Sequence, residues 1–369
     1  MTARADFDLA VVGAGPAGSA AALAAGRRGL SVALFDPLRE PADTPCGEGL
    51  MPEGVLALRE LGIEFGAGEV FPFRTLRYVV PRGRSFALLL PGEALAIPRP
   101  RLAAALARAV RAEPRIERIF ERAAVRPIEA RAAGFTIEHE DGATHARTLI
   151  LADGAQGDAV DWLRPTGYAS GRFGLRCRFE SARPLTGVEV HLTGGCEVYL
   201  TPLPGRLVNA AFLFERPLEG ARGPEELVGL ALDAAPRASS ALGTLVTPPR
   251  GRRLDRLRAR AVARTGAFLA GDAGAAVDPI LGCGVTIALR SGVLAAGSCA
   301  DLLRGAHPGA VERAYARALA RESRSRRALA KALRFLAGHP SALGFLARAG
   351  SLRPALFEPL VRRAALGGA

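Results

Sequence analysis

The chain has 369 residues, 49% hydrophobic and 23% charged, with a formal net charge of +13. That balance describes a folded protein with room for two domains, or one domain with a large insertion, and excludes a disordered or fibrous chain. Lys331 is the only lysine, so the charge is carried by arginine. No arginine cluster is interleaved with aromatics, which sets a nucleic-acid platform aside and leaves an acidic partner or a membrane surface as the weaker lean.

The N-terminus carries Asp6 and Asp8 ahead of its apolar run, the wrong sign for a secretory signal. Leu9 to Gly26 is apolar but holds four glycines and a proline in a patterned order, so no transmembrane segment is expected there. Cys46, Cys177, Cys196, Cys283 and Cys299 are an odd number without framework spacing, which points to free thiols in a reducing cytoplasm. No CxxC or His-rich cluster suggests a metal.

"FDLAVV" (7–12) predicts a strand running into "GAGPAG", with Gly13, Gly15, Pro16, Ala17 and Gly18, then an alanine-rich helix to about Gly29 and a strand ending at Asp36. Gly13 suits a tight turn, Gly15 lets backbone approach a pyrophosphate, and Gly18 lets the helix lie close to the sheet. The helix N-terminus offers N–H groups and a positive dipole end to phosphates, and a carboxylate at Asp36 can accept from ribose hydroxyls. The next stretch, "PCGEGLMP" (45–52), is a loop in which Gly47 and Gly49 let backbone lie flat against a ring or substrate. Cys46 and Glu48 are candidates there for a proton donor and a general acid or base.

"FRTLRYVV" and "RSFALLL" read as strands. Arg99, in "IPRPRLAAAL", opens a helix, and "TLILADGAQG" is a strand ending in Asp153-Gly154. Four more strand-like runs follow, "FGLRCRFE", "GVEVHLT", "CEVYLTP" and "LVNAAFLFE", broken by Gly and Pro as a mostly antiparallel sheet requires. In the third of these runs, alternation puts Glu197, Tyr199 and Thr201 on one face, which makes Tyr199 a candidate substrate wall or hydrogen-bond donor. His139 and His191 fall on strands and read as structural. Residues 223–235 predict one short helix. "AFLA" then runs into Gly271-Asp272, followed by a loop with Pro279, Gly282, Cys283 and Gly284 and the start of a helix. Beyond residue 308 apolar residues recur at helical spacing with arginines elsewhere, which predicts a helix packed on the first domain.

With these blocks in order, residues 7–300 resemble the FAD-dependent oxidoreductases of the aromatic-hydroxylase (group A flavin monooxygenase) and geranylgeranyl-reductase kind. The resemblance implies an α/β protein: a Rossmann-like FAD-binding domain of the glutathione-reductase type, an inserted mostly antiparallel β-sheet substrate domain, and C-terminal helices. Expected boundaries are 1–72, 95–162 and 262–305 for the FAD domain, 73–94 and 163–261 for the substrate domain, and 306–369 for the helical segment. By the same resemblance Gly13, Gly15 and Gly18 hold the pyrophosphate, Asp36 the adenosine ribose, and Asp272, after Gly271, the ribityl chain. Gly282 and Gly284 lie beside the isoalloxazine with Cys283 between them, Arg99 faces the FAD, and Gly47 borders ring and substrate.

The family's middle motif continues DGxxSxVR, whereas this chain reads "DGAQGDAVD", so the resemblance carries FAD further than it carries NAD(P)H as the electron donor. The implied activity is a monooxygenase that hydroxylates a small organic molecule through a flavin C4a-hydroperoxide. The alternatives are a geranylgeranyl-reductase-like enzyme reducing C=C bonds, for which "CGEGL" and Tyr199-x-x-Pro202 speak, and a flavoprotein that modifies a peptide or passes electrons to a partner. The WxWxIP motif and catalytic lysine of flavin-dependent halogenases are absent, and halogenation is not expected.

Overall fold

Six residues, five of them apolar, ending in a glycine turn are too few for a stable helix and long enough for a buried strand. The computed structural model describes residues 6–40, 43–80, 84–120, 130–131, 134–140, 142–154, 165–168, 172–216, 218–254, 256–259 and 261–339. Most of the "DGAQGDAVD" segment and the last thirty residues lie outside that set.

In chain order, β1 Phe7–Val12, α1 Pro16–Gly26, β2 Val32–Phe35, β3 Gly49–Leu50, α2 Pro52–Glu60, β4 Phe71–Val79, β5 Ser85–Ala96 and α3 Arg99–Ala112 come first. The strands β6 Ile116–Ile119, β7 Ala130–Arg131, β8 Gly134–His139, β9 Gly142–Leu151 and β10 Pro165–Tyr168 follow. After them come β11 Phe173–Ser181, β12 Val188–Leu192, β13 Cys196–Leu203 and β14 Leu207–Phe214. Two helices, α4 Pro224–Asp233 and α5 Pro236–Ser239, precede β15 Leu242–Arg253, β16 Arg256–Ala259, β17 Ala263–Arg264 and β18 Ala267–Leu269. The chain then forms α6 Asp272–Ala275, a 3-10 turn Pro279–Leu281, α7 Gly284–Leu303 and α8 Pro308–Ala337. The one short helix expected over 223–235 is α4, and Pro236, which cannot continue it, opens the separate turn α5.

One sheet runs β17-β18-β9-β1-β2-β6, with β8 on β9 and β7 on β8. Its central strands β18, β9, β1, β2 and β6 are parallel, so their C-terminal ends share one edge. Since β2 lies on one side of β1 and β9 on the other, the loop after β1 sits where strand order reverses, the crevice in which such sheets bind ligands. Helix α1 is buried from Ala17 to Gly26. Its small side chains permit that: a Cβ on Gly292 of α7 would lie 2.2 Å from Ala17 O, so the two backbones touch. Helix α7 is long and apolar enough to cross a membrane, but half of its most apolar stretch is buried in this contact and around it.

The second sheet has the order β15-β11-β14-β13-β12-β4-β5-β3. It is antiparallel except that β4 and β12 are parallel, because the chain leaves after β5 and returns far downstream. Helices α4 and α5 cover part of one face, with Leu227, Val228 and Ala238 packed on Phe212, Phe214 and Cys177. The chain first enters this sheet through β3, inside "PCGEGLMP", which pairs with the end of β5, and it returns over 71–96.

Candidate functional site

The parallel sheet brings the three sequence blocks into contact. Gly13 takes φ +95°, and a Cβ there would lie 2.7 Å from Ala152 O and 3.0 Å from Asp153 Cα, which joins the first block to the second. A Cβ on Gly271 would lie 2.8 Å from the Ala17 Cβ, which joins the first to the third. Gly18 packs on Gly13 O, too close for any side chain. Pro16 stands in the first turn of α1, which has no side-chain cap and so keeps its first N–H groups for a ligand. Asp36, just past β2, accepts the Ala14 N–H at 2.7 Å and the Leu38 N–H at 2.8 Å, so one carboxylate fixes the glycine turn and faces the crevice. Asp272 opens α6, Pro279 opens the 3-10 turn capped by Asp278 (Ile280 N to Oδ1, 3.1 Å), and Gly282 is left-handed at φ 62°. Cys283 is buried ahead of α7, where burial pushes its thiol up to about 11. Both Cys46 and Cys283 are free thiols.

"PCGEGLMP" is not a loose bend. The second sheet clamps its backbone: Asn209 Nδ2 donates to Cys46 O at 3.1 Å and Thr201 Oγ1 to Gly47 O at 2.8 Å. Glu48 Oε1 accepts from Arg178 Nη2 at 2.5 Å and from the Arg99 N–H at 2.8 Å. The left-handed residue is Glu48 itself at φ 60°, not either neighbouring glycine, a placement that costs on the order of 1 kcal/mol and marks an over-determined loop. The Glu48 N–H donates to Cys46 Sγ at 3.4 Å.

Beside the third block lies a cavity of about 1,090 Å³, walled by Leu192, Leu213 and Val262, by Asp278, and by the inner edge of α8. Arg172, almost fully buried, gathers the acids of its wall. It lies 2.6 Å from Glu197 Oε1, 2.7 Å from Asp278 Oδ1 and 3.0 Å from Glu215 Oε1. Burial alone would lower the Arg172 pKa, but the three carboxylates outweigh it and hold the guanidinium charged. Burial raises the Glu197 carboxyl, with Arg172 opposing. Tyr199 donates to Glu197 Oε2 at 2.6 Å, and its own pKa is raised well above the ordinary value by burial and by that carboxylate. Tyr199 therefore stands behind Glu197, which faces the cavity. His191 and His139 have partners in Glu189 and Thr144.

The residues present suit a flavin dinucleotide. Arg99 Nε and Nη1 are buried with no hydrogen-bond partner among the described residues, and Arg99 lines a cavity of about 190 Å³ together with Gly15, Pro16 and Asp36. A Cβ on Gly15, Gly47 or Gly284 would meet nothing within 4 Å, so no neighbour in the chain accounts for glycine there, whereas a closely held planar cofactor does. Arg172, Arg178, Asn209 and Thr201 were not among the residues the motifs selected. The signal was strand alternation: Arg172, Arg176 and Arg178 share one face of a strand with apolar neighbours, and inward-facing cations require acids.

The pyridine nucleotide-disulphide oxidoreductase family matches residues 7–179. The flavin-dependent brominase Bmp2 superposes with TM-score 0.82 at 16% identity, over 97% of this chain and 93% of its own. PqsL of Pseudomonas aeruginosa, named "a probable FAD-dependent monooxygenase", gives TM-score 0.78 at 18% identity over 92% of this chain and 98% of its own. The chain has the fold of the FAD-dependent oxidoreductases. Two curated relatives align with part of this flavoprotein fold. Menaquinone reductase of Mycobacterium tuberculosis is 35% identical over 149 residues, 40% of this chain and 35% of the reductase. Digeranylgeranylglycerophospholipid reductase 2 of Methanopyrus kandleri is 35% identical over 159 residues, 41% of this chain and 38% of the reductase. The chain thus spans little more than a third of the length of these two relatives.

Proposed function

We propose that the chain is an FAD-dependent reductase that saturates a carbon–carbon double bond in a largely apolar small molecule, with NAD(P)H as electron source. The observation that carries the reading is kinship. The curated relatives at 35% identity are named reductases, whereas the brominase and monooxygenase likenesses stand at 16% and 18% and speak for fold alone. FAD, when bound, supplies the hydride chemistry. Gly15 and the N-terminus of α1 hold its pyrophosphate, Asp36 the adjoining ribose, Asp272 the ribityl chain, and Arg99 a further polar edge. Gly47, Gly282, Cys283 and Gly284 border the ring. Cys46 and Glu48 keep the loop in shape, and the cavity beside Asp278 takes the substrate and excludes water. Glu197 presents its carboxyl at the cavity wall, where burial raises its pKa against the pull of Arg172, and Tyr199 sets its orientation.

Hydroxylation is the second reading, because the fold shared with PqsL over 92% of the chain admits it. Rapid mixing of anaerobically reduced holoenzyme with aerated buffer separates the two. The reductase reading expects reoxidation in one phase. A transient blue-shifted absorbance ahead of reoxidation transfers the protein to hydroxylation.

A further inference from the structure

Helix α8 carries two acids, and both turn inward. Glu312 accepts the Gly266 N–H at 3.3 Å, while Glu322 pairs with Arg290 and Arg326. Val311, Tyr315, Leu319, Ser323, Arg326 and Ala330 form the buried side, and Tyr315 donates to Leu269 O at 2.6 Å. The opposite side is Arg313, Arg317, Arg321, Arg324, Ala328, Lys331 and Phe335, at successive spacings of three or four, and all are exposed. This stripe runs for roughly 33 Å at the rise of an α-helix. It contains no acid, and none of its five cations has an ion pair among the described residues. Lys331 and Phe335, at its end, line the mouth of the large cavity, and Phe335 is 63% exposed.

We propose that this face of α8 docks the protein on an anionic bilayer surface, with the cavity mouth turned toward the lipid. A stripe of one sign on a straight helix matches a plane of phosphate headgroups, and guanidinium groups bind phosphate in a bidentate fork. The cations are not interleaved with aromatics that could stack on bases, which argues against a nucleic acid. A single aromatic at the cavity end suits the headgroup–acyl boundary. The stripe stands by itself; only the consequence that substrate enters from the bilayer rests on the reductase reading.

The test is co-sedimentation of the full-length holoenzyme with vesicles of phosphatidylglycerol and phosphatidylcholine, against vesicles of phosphatidylcholine alone, at low and high salt. Binding to the anionic vesicles, lost on the neutral ones and weakened by salt, is expected. Replacing Arg317, Arg321 and Arg324 by Gln lowers partitioning by about fivefold per residue, and by about a hundredfold together. The same three positions as Lys keep the binding, and retained flavin absorbance shows that each variant is folded. Equal binding to neutral vesicles, no binding to either, or a Gln variant that binds like the parent overturns the proposal. Retention on heparin without vesicle binding does so too, and would assign the stripe to a soluble polyanion. Pelleting needs no substrate, so failure here leaves the reductase reading standing, and failure of that reading leaves the docking result intact.

Discussion

Glu48 Oε1 lies 2.5 Å from Arg178 Nη2, joining the loop after β2 to the middle of β11 across 130 residues of sequence. The acid that the sequence offers for general acid–base work is thus an acceptor tied to two donors, Arg178 and the first N–H of α3. Removing one partner of a buried pair strands the other, at a cost of about 3 to 5 kcal/mol. Glu48→Ala is expected to lower stability by about 3 kcal/mol and to weaken FAD retention, because the loop loses the bonds that hold φ 60°. Glu48→Gln keeps an acceptor for both donors and is expected to lose less. Denaturant midpoints with the flavin content of each preparation decide it; equal losses in the two variants would show that a neutral acceptor holds nothing and that the charge alone ties the loop.

Arg172 is the matching tie on the other side of the site, between Glu197 of the second sheet and Asp278 of the loop after α6. Arg172→Met keeps the volume and leaves Glu197 buried without its cation, while Asp278 keeps Arg334 at 3.6 Å. The folded pKa of Glu197, already raised by burial, then rises further, so the variant gains more stability than the parent as pH falls toward the carboxylate range. The expected result is a melting temperature that rises more between pH 7 and 5 in the variant than in the parent. Parallel profiles would show that Glu197 finds another partner.

Much of the fold was legible in the sequence. An apolar run, a glycine turn, an alanine-rich helix and a second strand ending in an acid are local patterns, and each of the six alternating runs downstream is a strand of the second sheet. The convergence of the three glycine blocks follows from one fact the sequence does not print, that the four strands ahead of the crevice are parallel and share an edge. The ties that close the site were not legible, because their partners are far apart: Arg172 to Asp278 spans 106 residues and Asn209 to Cys46 spans 163. A period-two row of arginines announces that acids are needed but not which ones. The left-handed backbone at Glu48 was hidden for another reason: its two glycine neighbours are the residues that local rules would choose.

Glu189 governs the acid limb of stability. Its pKa is lowered from 4.5 to about 2, with burial opposing and hydrogen bonds from His191 and Arg183 prevailing. Because the folded value lies below the unfolded one, its contribution is complete above about pH 4.5 and is lost as pH falls toward 2. Arg183 is 40% exposed, so water screens the pair, and a contribution on the order of 2 kcal/mol is expected. Glu189→Gln should be less stable at pH 7 and flatter below pH 4.5. A variant whose acid unfolding curve keeps the parent's slope would show that other carboxylates set the limb.

Gly15 and Gly292 separate the two reasons for glycine around this crevice. A Cβ on Gly292 would meet Ala17 O at 2.2 Å and Ala21 N at 3.0 Å, both backbone atoms of α1, so α1 and α7 must part to admit it. Gly292→Ala is expected to cost about 1 to 3 kcal/mol whether or not flavin is present. A Cβ on Gly15 meets nothing within 4 Å, and the backbone there is extended, so Gly15→Ala leaves the apoprotein as stable as the parent. The new methyl points into the space where the pyrophosphate would lie, and the variant should lose its yellow colour on gel filtration. Melting curves of the stripped and FAD-loaded forms read the two effects apart. The parent gains stability on loading, Gly15→Ala gains little, and Gly292→Ala starts lower in both. A Gly15→Ala protein that keeps its flavin would mean that the close approach to the cofactor is made elsewhere along α1.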